Sequence, residues 1–255
     1  MIKLRILGCS GGIGGSARTT SMLLDQDVLI DAGTGVGDLS LSELRLIDHV
    51  FITHSHLDHI ACIPLMMDSV GSMRDKPLTV HATGATLEII RQHVFNWKIW
   101  PDFTQVPNAK HPFLRYHEIK PGHVVELGIR KITALPANHV VPAVGFQIDS
   151  GAASLVFSGD TTTNDNFWEA VNHIGNLRYL VVETAFPNAE YELAVVSKHF
   201  CPSMLAEDLL KLKLEPEIYI THLKPGEVDL IMQEIGECVQ GFAPKMLQNG
   251  QLFEF

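Results

Sequence analysis

Basic residues are scarce in this 255-residue chain: 19 lysines and arginines stand against 29 aspartates and glutamates, a net charge of −10. That balance works against non-specific attraction to nucleic acid or to an anionic membrane, although cations bound inside a site would reverse the local sign. Cysteine is sparse too. Cys9, Cys62, Cys201 and Cys238 are scattered without a Cys-x-x-Cys pair, so reduced, mostly buried thiols are expected rather than disulfides or a structural zinc knot. No apolar run approaches the roughly 20 residues of a membrane span. The opening Met1–Gly8 lacks the apolar core, roughly 7–15 residues long, of a signal peptide. A cytoplasmic location is therefore the expectation. Repeats of fixed period and low-complexity linkers are also missing, which favours one domain over residues 1–255.

What the chain does have is a packable composition, 46% hydrophobic and 19% charged. Strand-like runs at 2–7, 21–24 and 28–31 are followed by a helical spacing at 41–47 and a short apolar strand at 49–53. A further strand is expected at 78–81 and a helix at 86–97. Residues 97–123 hold four prolines and several aromatics, and they read as a loop or lid. Strands at 130–135, 143–149, 154–158, 179–183 and 217–221 alternate with helices at 166–174, 202–212 and 228–239, so an α/β chain is expected.

Chemistry concentrates in His54-Ser55-His56-Leu57-Asp58-His59, directly after the strand at 49–53. In an extended stretch His54 and His56 share a face. As the chain turns into a helix, Asp58 and His59 can reach a second position beside the first. Imidazole and carboxylate together suit zinc, manganese or iron. Three more donors stand at strand ends: His139 after Pro136-Ala137-Asn138, Asp160 after Ser158-Gly159, and His222 after Ile220-Thr221. In α/β sheets such ends are where sites gather.

The His-x-His-x-Asp-His box, the later His139, Gly159-Asp160-Thr161 and Thr221-His222 together resemble the metallo-β-lactamase superfamily. The resemblance runs from Asp31 to His222 and implies a four-layer αββα sandwich. It implies that His54, His56 and His139 hold one divalent metal ion. Asp58, His59 and His222 would hold a second, Asp160 would bridge both, and Asp31 would buttress the site from behind. Zinc is the first expectation for both ions, with manganese and iron as alternatives. Glu183-Thr184-Ala185-Phe186-Pro187-Asn188, Lys198-His199 and Thr221-His222 look like the phosphodiesterase branch, nearest the class II cyclic-nucleotide enzymes and more distantly tRNase Z. Two positions depart from that branch: Cys62 where a small Gly or Ser is usual, and Lys198 where glycine is common.

A phosphodiesterase has a use for each of these groups. Two cations acidify and aim a water, and they neutralise charge that develops on phosphate oxygens. Asp58 is the candidate proton acceptor. His199, held protonated by Glu183, is the candidate general acid for the leaving 3′-oxygen. The expected substrate is thus a small 3′,5′-cyclic nucleotide, cyclic AMP or GMP, converted to the 5′-monophosphate. A tRNA 3′-endonuclease is the runner-up, disfavoured because 97–123 offers few fixed positive charges for gripping RNA. Lactone or thioester hydrolysis, which does not need the Glu183–His199 pair, and a non-catalytic binding module follow. The glycine-rich 8–16 segment reads as a flexible rim where backbone amides, Ser16, Arg18 or Thr19 could meet phosphate. Trp97, Trp100 and Phe103 suggest either a nucleobase platform or, more readily, a homodimer contact. His49, His81, His93, His111, His117, His123 and His173 read as surface or packing residues.

Overall fold

A computed structural model describes residues 1–255. The first sheet is built from β1 (Lys3–Gly8), β2 (Ser21–Leu24), β3 (Val28–Ala32), β4 (His49–Phe51), β5 (Leu78–Thr83) and β6 (Leu114–Ile119). The second contains β7 (Val124–Leu127), β8 (Arg130–Pro136), β9 (Val144–Asp149), β10 (Ser154–Phe157), β11 (Leu177–Glu183), β12 (Glu217–Thr221) and β13 (Lys245–Met246). The C-terminal β14 (Leu252–Glu254) returns to the first sheet and pairs antiparallel with β1, giving two seven-stranded sheets.

The strand alternation explains the layering. On β5, Leu78, Val80 and Ala82 face helices α1 (Leu41–Leu44), α3 (Cys62–Val70) and α4 (Gly84–His93), while α2 (Leu57–Ile60) carries the end of the histidine box. On β11, Leu180 and Val182 face α5 (Asp165–Asn172), α7 (Pro202–Leu209) and α8 (Val228–Cys238), with α6 (Tyr191–Ser197) preceding α7. The opposite faces of both sheets meet in a third apolar cluster containing Ile6, Ile30, Phe51, Phe146, Phe157, Val181 and Tyr219. Helix, sheet, sheet, helix is the αββα order expected from the motifs.

Topology decides where the chemistry collects. Strands β3 to β6 run parallel, as do β10 to β13. Strand β8 points the same way as β10, because both are antiparallel to β9. The carboxyl ends of β3, β4, β8, β10, β11 and β12 carry Asp31, Glu183 and all seven candidate metal donors, while His199 comes from the connection between α6 and α7.

Several local expectations need correction. The segment 97–123 is not all loop, since β6 occupies Leu114–Ile119; its exposed Arg115, His117 and Glu118 mask an edge strand whose Leu114 and Ile119 are buried. Phe103 is buried in the helix-side core of the first sheet and Trp100 packs against that core, so Phe103 is not free for a nucleobase or a second copy. The helix expected at 41–47 ends at Leu44, and the one expected at 86–97 runs from Gly84, with Thr83 capping Thr86, to His93. The helix expected at 202–212 stops at Leu209. Helix α6 and strands β7, β13 and β14 are not expected from the sequence pattern.

Candidate metal centre and active site

The site is assembled on a buried carboxylate. Asp31, at the end of β3 with φ +56°, accepts from the Thr53 backbone N–H at 2.8 Å and from Thr53 Oγ1 at 2.8 Å. Its Oδ2 also accepts from His59 Nδ1 at 2.7 Å, while His54 Nδ1 lies 3.0 Å from Thr53 Oγ1. With the hydroxyl proton directed to Asp31, Thr53 can only accept from His54. Both histidines thus carry a proton on Nδ1, and both turn Nε2 toward the same interior space. His139 is fixed in the same sense by Lys198, whose carbonyl lies 3.0 Å from His139 Nδ1.

Donor atoms of His54, His56, His139 and Asp160 lie within 4.8 Å of one another, and so do those of Asp58, His59, Asp160 and His222. Asp160 belongs to both groups. The structure brings together all seven residues singled out in the sequence as metal donors. His54 Nε2, His59 Nε2 and His222 Nδ1 are buried without a hydrogen-bond partner. They stand 3.6, 3.4 and 3.4 Å from Asp160 carboxylate oxygens. Those gaps are long for hydrogen bonds, yet donors sharing one tetrahedral ion with bonds of about 2.0–2.1 Å sit roughly 3.4 Å apart. Buried polar atoms are rarely left unpaired, and three ring nitrogens converging on one carboxylate fit divalent cations.

The electrostatics agree with that fit. Burial, reinforced by the neighbouring imidazoles, holds His54 well below the ordinary histidine pKa, and burial lowers His139 to about 4 and His222 to about 3. Their lone pairs are accordingly free at neutral pH. His59 behaves oppositely: Asp160 and Asp31 outweigh its burial and raise it well above the usual value, so a cation binding there displaces a proton. Burial works against the Asp160 carboxylate, but the surrounding His222, His59 and His54 hold its pKa well below the usual range.

Beside the donors lies a second buried pair. His199 Nδ1 contacts Glu183 Oε1 at 2.8 Å, and its ring stacks on His222 with centroids 5.2 Å apart. Glu183 also accepts from the Thr161 and Phe200 backbone amides. Burial penalises the His199 cation, but the Glu183 charge and hydrogen bond outweigh it and raise the pKa above the usual histidine value. Asp58 is the most open of the donors, with 29% of its side chain exposed.

The glycine-rich segment does reach the site, in a more constrained form than a flexible rim. A Cβ on Gly11 would lie 2.4 Å from the His222 carbonyl, so only glycine permits that approach. His222 N–H donates to the Cys9 carbonyl at 2.8 Å, and Lys224 Nζ to the Gly11 carbonyl at 2.7 Å. Arg18 is paired with Asp38 at 2.9 Å on the surface, and the buried Thr19 accepts from the Thr34 amide through Oγ1 at 2.8 Å. The sequence reading missed Thr53, Asn138 and Lys198 as supports, although each stands one residue before a histidine of the site. That adjacency was the available signal.

A "Probable 3',5'-cyclic-nucleotide phosphodiesterase" of Yersinia pestis is 27% identical over 205 residues, 71% of this chain and 58% of that protein. A "3',5'-cyclic-nucleotide phosphodiesterase" of Aliivibrio fischeri is 24% identical over 80% of this chain and 73% of its own length. The chain thus spans less than two thirds of the first of these relatives. A "Ribonuclease Z" of Methanopyrus kandleri is 24% identical over 58% of this chain and 50% of its own. Among solved structures, unliganded yeast PDE1 superposes with a TM-score of 0.82 at 18% identity, covering 98% of both chains. Human tRNase Z, short form, gives 0.70 at 14% identity, covering 99% of this chain and 98% of that one. The Beta-lactamase superfamily domain matches residues 26–236, and the chain belongs to that superfamily, with the metallo-β-lactamase fold and its provision for divalent metal.

Proposed function

We propose that the protein is a dinuclear metal-dependent phosphodiesterase that hydrolyses 3′,5′-cyclic nucleotides to 5′-monophosphates. The observation that carries this reading is the Glu183–His199 pair, buried beside a seven-residue donor cluster and stacked on one of its histidines. Thioester hydrolysis expels a thiolate, which needs no such acid. A ribose 3′-alkoxide is a poor leaving group and does need one. The names of the bacterial relatives and of yeast PDE1 point the same way.

In this reading His54, His56, His139 and Asp160 would hold one cation, and Asp58, His59, His222 and Asp160 the other. Bound there, the cations supply Lewis acidity and an acidified water. The remaining work falls to the chain. Asp31 and Thr53 keep the Nδ1 protons of His59 and His54 in place, so their Nε2 atoms stay available as donors. Asp58, partly open to solvent, receives the proton released as the nucleophile attacks. His199 delivers a proton from Nε2 to the departing 3′-oxygen, while Glu183 on Nδ1 stabilises the imidazolium and fixes the ring. Zinc is the proposed metal, with manganese or iron able to use the same donors.

A second reading, a tRNA 3′-endonuclease, is favoured by the ribonuclease Z relatives. Against it, the 97–123 segment does not project as an RNA-gripping arm, since Phe103 is buried in the core and β6 is paired within the sheet. One assay separates these readings: cyclic AMP, cyclic GMP, a 2′,3′-cyclic nucleotide, a tRNA precursor and bis(p-nitrophenyl) phosphate offered to the zinc-loaded protein side by side. Turnover of 3′,5′-cyclic nucleotides is expected, and His199→Ala should slow them far more than the aryl ester. Cleavage of the tRNA precursor alone, or equal losses on both substrates in His199→Ala, would overturn the proposal.

A further inference from the structure

Lys198 is an unexpected residue for its place. It ends α6 in the left-handed region, with φ +53° and ψ +52°, a backbone conformation that disfavours side chains and suits glycine. A lysine at such a position is explained when its side chain does something glycine cannot.

Lys198 Nζ reaches back across the site to Asn138 Oδ1 at 3.1 Å and to the His139 carbonyl at 3.2 Å. Its own carbonyl accepts from His139 Nδ1. Asn138 is in turn knitted to the segment that carries Asp160. Its N–H donates to Thr161 Oγ1 at 3.0 Å and its side-chain amide to the Thr163 carbonyl at 3.0 Å, while its carbonyl accepts from Thr162 N–H at 3.0 Å. The Thr161 N–H then donates to Glu183 Oε1 at 3.1 Å, the same oxygen that receives His199 Nδ1. Since His199 follows Lys198 in the chain, the bonds close a ring: Lys198, Asn138, Thr161, Glu183, His199 and back to Lys198.

We propose that Lys198, acting through Asn138, is a positioning residue that sets the His139–Asp160 half of the donor cluster at a fixed spacing from the Glu183–His199 pair. The proposal rests on the donor and acid roles assigned above. The other ties use backbone groups, the Thr161 hydroxyl, or the Glu183–His199 pair already required at the site. The ammonium is the member a substitution can remove without touching a donor.

Two variants separate positioning from mere stability. Lys198→Gly removes the ammonium and relieves the left-handed backbone; Lys198→Met removes the ammonium and keeps the strain. Zinc affinity is read without substrate, by competition with a chromophoric chelator, and Tm is read on chelated protein. Both variants are expected to bind zinc about tenfold more weakly, the scale of lost outer support for a metal ligand. The glycine variant should melt no lower than wild type, and the methionine variant no higher. Wild-type zinc affinity in either variant, or a loss confined to whichever variant also melts lower, overturns the proposal. Because no substrate enters this measurement, a wild-type protein inactive on cyclic nucleotides would refute the functional reading and leave the positioning role to be decided on affinity alone.

Discussion

Replacing Thr53 by Val is the sharpest single perturbation of the centre, because the two side chains match in shape and differ by one hydroxyl. That hydroxyl donates to Asp31 Oδ2 at 2.8 Å and accepts from His54 Nδ1 at 3.0 Å, all in fully buried surroundings. In the variant the His54 Nδ1–H loses its acceptor, and a buried orphan donor costs about 1–3 kcal/mol. Asp31 loses one hydrogen bond to a charged acceptor, worth about 1.5–3 kcal/mol, but keeps the Thr53 backbone N–H and His59. Together the two losses come to about 2.5–6 kcal/mol, large against the roughly 5–15 kcal/mol that holds a typical domain folded. With His54 free to turn, zinc affinity should fall about 10- to 100-fold. Urea unfolding of chelated protein measures the first quantity, and chelator competition measures the second. Thr53→Ser, which restores the hydroxyl, should recover most of both. An unfolding midpoint and a zinc affinity unchanged in Thr53→Val would refute the assignment of Thr53 as the link between the two halves.

Asp160→Ala removes the one carboxylate common to both donor groups; it should abolish turnover and lower the number of zinc ions retained after dialysis, and full turnover would refute the cluster's role. Exposure of wild type to chelator should inactivate it, with recovery on adding zinc or manganese. A separate test concerns His81, which stacks on Phe51 with centroids 4.2 Å apart and whose pKa falls to about 3 through burial and the nearby His49 and His117. Its folded pKa lies below the unfolded value of about 6.5, so the unfolded chain binds the extra proton throughout that window. Stability from this residue is complete above about pH 6.5 and drains away toward pH 3, by up to about 1.4 kcal/mol per pH unit. His81→Phe should flatten the dependence of urea stability on pH between 6 and 4. A slope equal to wild type would refute the burial argument.

The donor cluster was legible because its chemistry is local. Four donors fall within six residues after an apolar strand, and the other three each follow a strand of their own. The supports were not legible. Nothing in the local pattern around Asn138 or Lys198 announces a bond between residues 60 positions apart, and Lys198 looked only like a departure from glycine. The elements that escaped notice share a physical character. β6 and β13 lie at sheet edges, where half-exposed faces tolerate charge and blur the alternation. Helix α6 buries only Ala194 and so lacks the apolar stripe that betrays a helix. The helix ends were misjudged where caps, rather than hydrophobicity, decide them, as with Thr83 before α4.

His222 donates to the Cys9 carbonyl just past β1, so one half of the donor cluster is tied to the first strand of the fold. The two halves therefore mature at different moments of synthesis. Once residue 160 has left the ribosome, His54, His56, His139 and Asp160 are all available, whereas the other group waits for His222. A nascent or truncated chain ending between these points holds one complete donor set and one unfinished set.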